Sequence, residues 1–209
     1  PTFIKILPID VLWQPLNLPP INSAPTTTVC AKSFWNRDKP VTDILTGPYH
    51  WVTQSGGTSS AWFSNHGVSY KFAKYELTSN EPPSWMADLF SCLDATLKKP
   101  EYFNSALINK WENVHSAVIP FHADDELLFY KDSSRSTPAT IATTSFGSVA
   151  EVSSSRSNDP KSASFAILEP ADGSLHVMKG FFQQLFKHKV KVQGSRMSIT
   201  CRHAANNEP

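Results

Sequence analysis

Proline constrains this chain before anything else does. Sixteen of its 209 residues are Pro. Each one inside a helix removes a backbone donor and clashes with the preceding turn. Pro8, Pro15, Pro19, Pro20, Pro25, Pro40 and Pro48 all fall in the first 65 residues, so no long helix fits there. Residues 1–65 read as an irregular N-terminal arm. Its short apolar pieces, Phe3 to Leu7 and Val11 to Trp13, either lie on a core or form short strands. One helix is well marked. Pro82-Pro83 stops the preceding segment and Ser84 can cap. Trp85, Met86, Leu89, Phe90, Leu93 and Leu97 then recur at three-to-four spacing until Pro100. This predicts a helix from Ser84 to Lys98 with a core-facing stripe.

Elsewhere the period is two. Val68, Tyr70 and Phe72 alternate within 66–80, and short strands are predicted at 105–111, 116–121, 139–146, 163–168, 174–178, 188–192 and 196–202. Segment 132–159 is rich in Ser and Thr and predicts a long exposed loop. Short strands separated by turns give a mostly β (α+β) class, a sandwich or jelly roll. Cys30, Cys92 and Cys201 form no C-x-x-C pair. Their odd number and wide spacing argue against a disulfide framework or structural zinc site and fit a reducing, cytoplasmic setting. No apolar run approaches the roughly 20 residues of a membrane span, and no signal peptide is recognisable. The chain starts at Pro1 rather than Met, which predicts excision from something longer.

The formal net charge is +1, from 19 Lys and Arg against 18 Asp and Glu. That excludes a bulk polybasic nucleic-acid binder and an acidic disordered tail. The balance is uneven, however. Segment 173–207 holds six basic residues and no acidic one. Its four lysines, Lys179, Lys187, Lys189 and Lys191, could track a phosphate backbone.

Three elements in the C-terminal half carry chemistry. In His122-Ala123-Asp124 an imidazole and a carboxylate stand two residues apart, on one face of a strand and about 7 Å apart at Cα. Alone, such a pair is ordinarily just solvated. His188, 64 residues after Asp124, could add a third corner. Two His and one carboxylate leave positions open on a metal, the arrangement associated with non-haem Fe(II) oxygenases. In Arg196-Met197-Ser198-Ile199-Thr200-Cys201-Arg202, the period of two puts both arginines, Ser198 and Thr200 on one face and the apolar residues on the other. The arginines are either surface residues of an edge strand or partners of a dicarboxylate, which would satisfy two guanidinium groups in bidentate fashion.

Taken together, these elements resemble the AlkB family of Fe(II)- and 2-oxoglutarate-dependent dioxygenases. FNSALINKWENVHSAVIPFHADDE is similar to that family's N-x-Y followed by H-x-D-D-E. ADGSLHVMKGFFQQLFKHKV is similar to its G-S-L-x-x-M stretch leading to the distal His, and GSRMSITCR to its arginine-flanked ending. Order and spacing agree from about residue 66 to 203. The wording is most like the AlkB domains of plant RNA virus replicase polyproteins. The resemblance implies a double-stranded β-helix (jelly roll) with one or two supporting helices, occupying residues 66–205. It implies a monomeric domain within a viral replicase polyprotein in the host cytoplasm.

The resemblance also assigns roles. His122, Asp124 and His188 would bind Fe(II). Arg196 would hold the distal carboxylate of 2-oxoglutarate, with Arg202 nearer the metal and Asn109 hydrogen-bonding the cosubstrate. The family has Tyr two residues after that Asn. Here it is Trp111, whose indole donates but cannot accept. Asp125 would contact the target base, and Tyr70, Phe72 and Tyr75 would form a nucleotide lid. The implied reaction is oxidative demethylation of N-methylated nucleobases (1-methyladenine, 3-methylcytosine or N6-methyladenine) in RNA or single-stranded DNA. It would consume O2, with ascorbate as reductant in vitro, and release formaldehyde, succinate and CO2. RNA repair is the corresponding role.

Three alternatives stand beside it. One is a jelly-roll RNA-binding module with weakened catalysis, and another is a protein hydroxylase on the same metal centre. The third, a cysteine protease using Cys30 or Cys92, lacks any local signature. No G-x-S-x-G elbow and no phosphate-cradling G-x-x-x-x-G-K-(S/T) occurs. His50, His66, His115 and His203 receive no role, and His176, alternating with Leu175 and Val177, reads as facing solvent.

Overall fold

The computed structural model describes residues 3–6, 26–30, 38–54, 56–130, 135–157 and 166–206. In chain order the elements are β1 (Phe3–Ile6), β2 (Thr26–Cys30), α1 (Asp38–Thr46), β3 (Val52–Thr53), β4 (Ser59–Ser64), β5 (Tyr70–Phe72), β6 (Tyr75–Leu77) and β7 (Ser79–Asn80). There follow α2 (Ser84–Leu97), β8 (Ser105–His122), a 3-10 turn (Leu127–Phe129), β9 (Ile141–Gly147), β10 (Ala150–Arg156), β11 (Ala166–Leu168), β12 (Leu175–Met178), α3 (Phe182–Leu185) and β13 (Phe186–Arg202).

Two long strands organise the molecule. β13 pairs antiparallel with β8 along most of its length. Its C-terminal half also pairs with β9, from Arg196 to Cys201. Its N-terminal half pairs with β10, from Phe186 to Val192. Between the halves the register with β8 shifts around Gly194. Bulges bend a strand and sharpen its twist, and here the shift lets one strand serve two layers. The main layer runs β1-β2-β12-β9-β13-β8-β4-β3, and the smaller one is β13 with β10 and β11. This is a jelly roll, mostly antiparallel, with a cavity between its layers. Gly147 makes the crossover fit. Its φ is +82°, and a Cβ there would stand 2.6 Å from the Ser195 carbonyl oxygen.

The outer face of the main layer is covered by helices. Met197, Ile199 and Cys201 of β13 join Ala106, Ile108, Phe63 and Leu175 in a core closed by Ile44 of α1 and by Trp85, Met86, Leu89, Phe90 and Leu93 of α2. The predicted α2 stripe is therefore buried as expected. Its start differs. Pro83 occupies the N-cap and Ser84 is the first helical residue, without a side-chain capping bond. At the other end Lys98 turns left-handed (φ +54°) and its N–H returns to the Asp94 carbonyl.

The expectation of an irregular arm over residues 1–65 needs correcting where the segment is described. α1 accommodates Pro40 in its first turn, where the N–H would be unpaired anyway. β4 runs beside β8 and buries Trp62 and Phe63. Val11 to Trp13 lie outside the described residues. The long loop expected across 132–159 is also corrected: β9, near the strand predicted at 139–146, and the unpredicted β10 together occupy half of it. Val152, Ser153, Ser154 and Ser155 of β10 are buried. The serines are buried on both faces of the strand, so composition alone misleads. No described helix is long and apolar enough to cross a membrane.

Candidate metal centre and ligand cavity

A cavity of about 510 Å³ lies between the layers. The strand register delivers the candidate metal-ligating residues to its mouth. β8 ends at His122, which pairs directly with His188 on β13. The chain then turns, bringing Asp124 between them. His122 Nε2 is 3.8 Å from Asp124 Oδ1, and His188 Nε2 is 4.0 Å from Asp124 Oδ2. One ligand atom from each of the three lies within 4.8 Å of the others. The Nδ1–H of His122 donates to the Pro120 carbonyl at 2.8 Å, which leaves the Nε2 lone pair for a metal.

The electrostatics suit a cation. Asp124 is 4% exposed. Burial would raise its pKa, but Arg202 above all, with His188 and His122, brings it down to about 2. Arg202 donates to Asp124 Oδ2 at 2.9 Å, and the Asp124 N–H donates to Gln183 Oε1 at 2.9 Å. Burial, with His122 nearby, lowers His188 to about 3. A neutral imidazole and an ionised carboxylate are the forms that coordinate a metal.

Deeper in, Arg196, Ser198, Thr200 and Arg202 line the cavity, as the period of two predicts. Both arginines are buried, so the edge-strand alternative is excluded. Arg196 donates to the Ser148 carbonyl (2.7 Å), the Pro170 carbonyl (3.1 Å) and Ser145 Oγ (2.6 Å), all neutral oxygens. Burial pulls its pKa down to about 10 despite the charge of Asp172. Arg196 Nε and both Nε and Nη1 of Arg202 are buried without partners. Buried guanidinium donors in this state call for an anion. A dicarboxylate fits the two ends of this face, and the three-residue ligand set fits Fe(II).

Asn109 stands beside Ser198 in the register. Its Oδ1 accepts from Ser60 Oγ at 2.5 Å, and Ser60 Oγ accepts from Gln54 Nε2 at 2.6 Å. The end left for a ligand is therefore the amide donor. Trp111 lines the cavity too, but its indole N–H is spent on Thr58 Oγ1 at 2.8 Å.

Tyr70, Phe72 and Tyr75, on the β5–β6 hairpin, also line the cavity, with successive ring centroids 5.1 and 5.7 Å apart. The arginine face and the aromatic wall are therefore brought together with the candidate metal ligands. Asp125 is not part of this lining: its Oδ2 accepts from Arg135 at 3.0 Å. The neighbouring Glu126 lines the cavity instead. Tyr70 donates to its Oε1 at 3.0 Å, and its Oε2 is buried without a partner. Burial, reinforced by the charge of Asp124, raises the Glu126 pKa. Sequence reasoning passed over Glu126 because the turn after β8 breaks the strand period that would have assigned its face.

His176 is the other correction. It is buried and lines the cavity rather than facing solvent, with its pKa lowered to about 4 by burial. The whole of β12 is buried on both faces, so alternation with Leu175 and Val177 did not mean exposure.

No family model matches the chain, and no curated protein matches it in sequence. Among solved structures, one titled "The structure of OsALKBH1" superposes with a TM-score of 0.58 at 14% identity, covering 86% of this chain and 98% of that one. At that identity the likeness is one of fold.

Proposed function

We propose that the chain is an Fe(II)- and 2-oxoglutarate-dependent dioxygenase that demethylates N-methylated nucleobases in RNA or single-stranded DNA. One observation carries this reading. The His122–Asp124–His188 set, with Asp124 and His188 buried, opens onto the same cavity as two buried arginines with unpartnered donors. The fold likeness to OsALKBH1 and the AlkB-like motifs support it. The narrower placement among plant RNA virus replicase domains, within a polyprotein in host cytoplasm, is proposed from motif wording alone. The domain over residues 66–205 is likewise proposed, with β3 and β4 of the preceding segment added to its sheet.

In this reading His122, Asp124 and His188 hold the metal, and Arg202 orients the Asp124 carboxylate. Arg196 receives the distal carboxylate of 2-oxoglutarate, assisted by the Asn109 amide. Bound Fe(II) and 2-oxoglutarate together supply oxidation by O2, with succinate, CO2 and formaldehyde as products. The cavity walls exclude water and fix the methyl group near the metal. Tyr70, Phe72 and Tyr75 offer faces on which a base can stack, worth about 1–3 kcal/mol per base. A target base must leave any stack to enter, which favours single strands. Glu126, rather than Asp125, is the carboxylate placed to meet a cationic base. Lys189 and Lys74 sit over the rings of Phe121 and Tyr75 at the cavity, where they can attract a phosphate backbone.

The test is incubation of methylated RNA and DNA oligonucleotides with Fe(II), ascorbate and 2-oxoglutarate. Formaldehyde, succinate and loss of the methyl mass are expected. None of them, with intact metal binding, would refute demethylation. The weakened-catalysis alternative draws on Trp111, whose donor is committed to Thr58. Slow, uncoupled succinate production with tight RNA binding would favour it.

A further inference from the structure

Among the described residues, His176 is a buried titratable side chain of the cavity wall that the proposed chemistry leaves unused. Its place follows from register. His176 of β12 pairs with Thr143 of β9, Thr143 pairs with Thr200 of β13, and Thr200 pairs with Leu107 of β8. Directly opposed residues share a face, so these four form one row across the cavity side of the main layer. Thr143 Oγ1 donates to Thr200 Oγ1 at 3.2 Å within that row.

The row has a defined height. Thr200 is one inward step along β13 from Arg202, which grips Asp124, and two steps from Arg196. A ligand running from Arg196 to the metal must cross it, with its metal-proximal end nearest the row. His176 is 5% exposed, and its Nε2 is buried without a hydrogen-bond partner. A wall built only for packing would carry Leu or Ile here, as the chain does at the adjoining Leu175, and would avoid the cost of an unsatisfied polar atom.

We propose that His176 is a cosubstrate-positioning residue whose Nε2–H donates to the 2-oxo acid end of 2-oxoglutarate. This rests on the Fe(II)/2-oxoglutarate reading of the cavity and deepens it. Thr143 and Thr200 continue the polar row beside the ring, while Arg202 stays engaged with Asp124. Trp111 pairs with Arg196 at the far end of this face, so the imidazole is the donor offered to the metal-proximal end.

The test is calorimetric titration of 2-oxoglutarate into protein loaded with Mn(II), which binds without turnover. His176→Leu should weaken 2-oxoglutarate about tenfold, leave Mn(II) affinity in its absence unchanged, and not lower the Tm of the ligand-free protein. His176→Gln, which restores a donor, should recover most of the affinity. Binding by His176→Leu within twofold of the wild type overturns the proposal. His176→Met carries the same test if the Leu variant misfolds. Failure of the wild type itself to bind 2-oxoglutarate with Mn(II) overturns the underlying reading and this inference with it.

Discussion

Replacing Arg196 by Met isolates the dicarboxylate claim. The side chain keeps an unbranched apolar stem and loses its charge and all its donors. The guanidinium is held against its preference, with burial lowering its pKa to about 10. That corresponds to roughly 3 kcal/mol against the charged form in the folded protein. Removing it also strands two carbonyls and a hydroxyl, at about 1 kcal/mol each. The two contributions nearly cancel, so the ligand-free variant should melt within a few degrees of the wild type. Ligand binding should not be spared. Charge-assisted hydrogen bonds contribute about 1.5–3 kcal/mol each, so losing a bidentate pair weakens 2-oxoglutarate at least 100-fold. With ligand at 100 times the wild-type Kd, the wild type gains about 2.7 kcal/mol and the variant about 0.4. For a chain this long, that is a Tm increment of roughly 5–11 °C falling to about 1 °C. The assay is thermal unfolding in Mn(II) with and without 2-oxoglutarate. An undiminished increment in Arg196→Met would refute the assignment.

His188→Ala should abolish turnover and Mn(II) binding; retained activity would refute the ligand set. Trp111→Tyr should tighten 2-oxoglutarate severalfold by freeing a donor at that position, and an unchanged or weaker Kd by calorimetry would show that the indole is not limiting. Glu126→Gln should raise KM for 1-methyladenine and 3-methylcytosine oligonucleotides about tenfold while Asp125→Asn changes it less than twofold. The reverse order would return the base contact to Asp125. Leu93→Ala, at a fully buried position under the sheet, should cost about 2–5 kcal/mol and lower Tm without changing the 2-oxoglutarate Kd; a selective loss of binding would contradict its purely structural role.

What could be read from the sequence was local. The 196–202 alternation fixed the faces of Arg196 and Arg202, and the stripe from Trp85 to Leu93 fixed the buried side of α2, because period and neighbours settle both. What depended on long-range pairing was not legible. β8 and β13 each read as two strands because their bulges interrupt the period, yet those interruptions are what carry the chain between layers. β10 was hidden by its serines, and β4 by the Gly, Ser and Thr residues that lead into it. His176 was misplaced for the same reason as β10. A strand covered on both faces gives alternation no exposed side, so a polar residue there signals the cavity rather than solvent.

The most direct test of the central claim, that one cavity holds the metal and the dicarboxylate together, is an anaerobic titration of Fe(II) and 2-oxoglutarate. The readout is the charge-transfer absorption of a 2-oxo acid chelated to Fe(II). The wild type should develop this band with saturation at a single equivalent, His188→Ala should lack it, and Arg196→Met should need far more 2-oxoglutarate to reach it. A folded wild-type protein that shows no such absorption at saturating Fe(II) and 2-oxoglutarate would contradict the account.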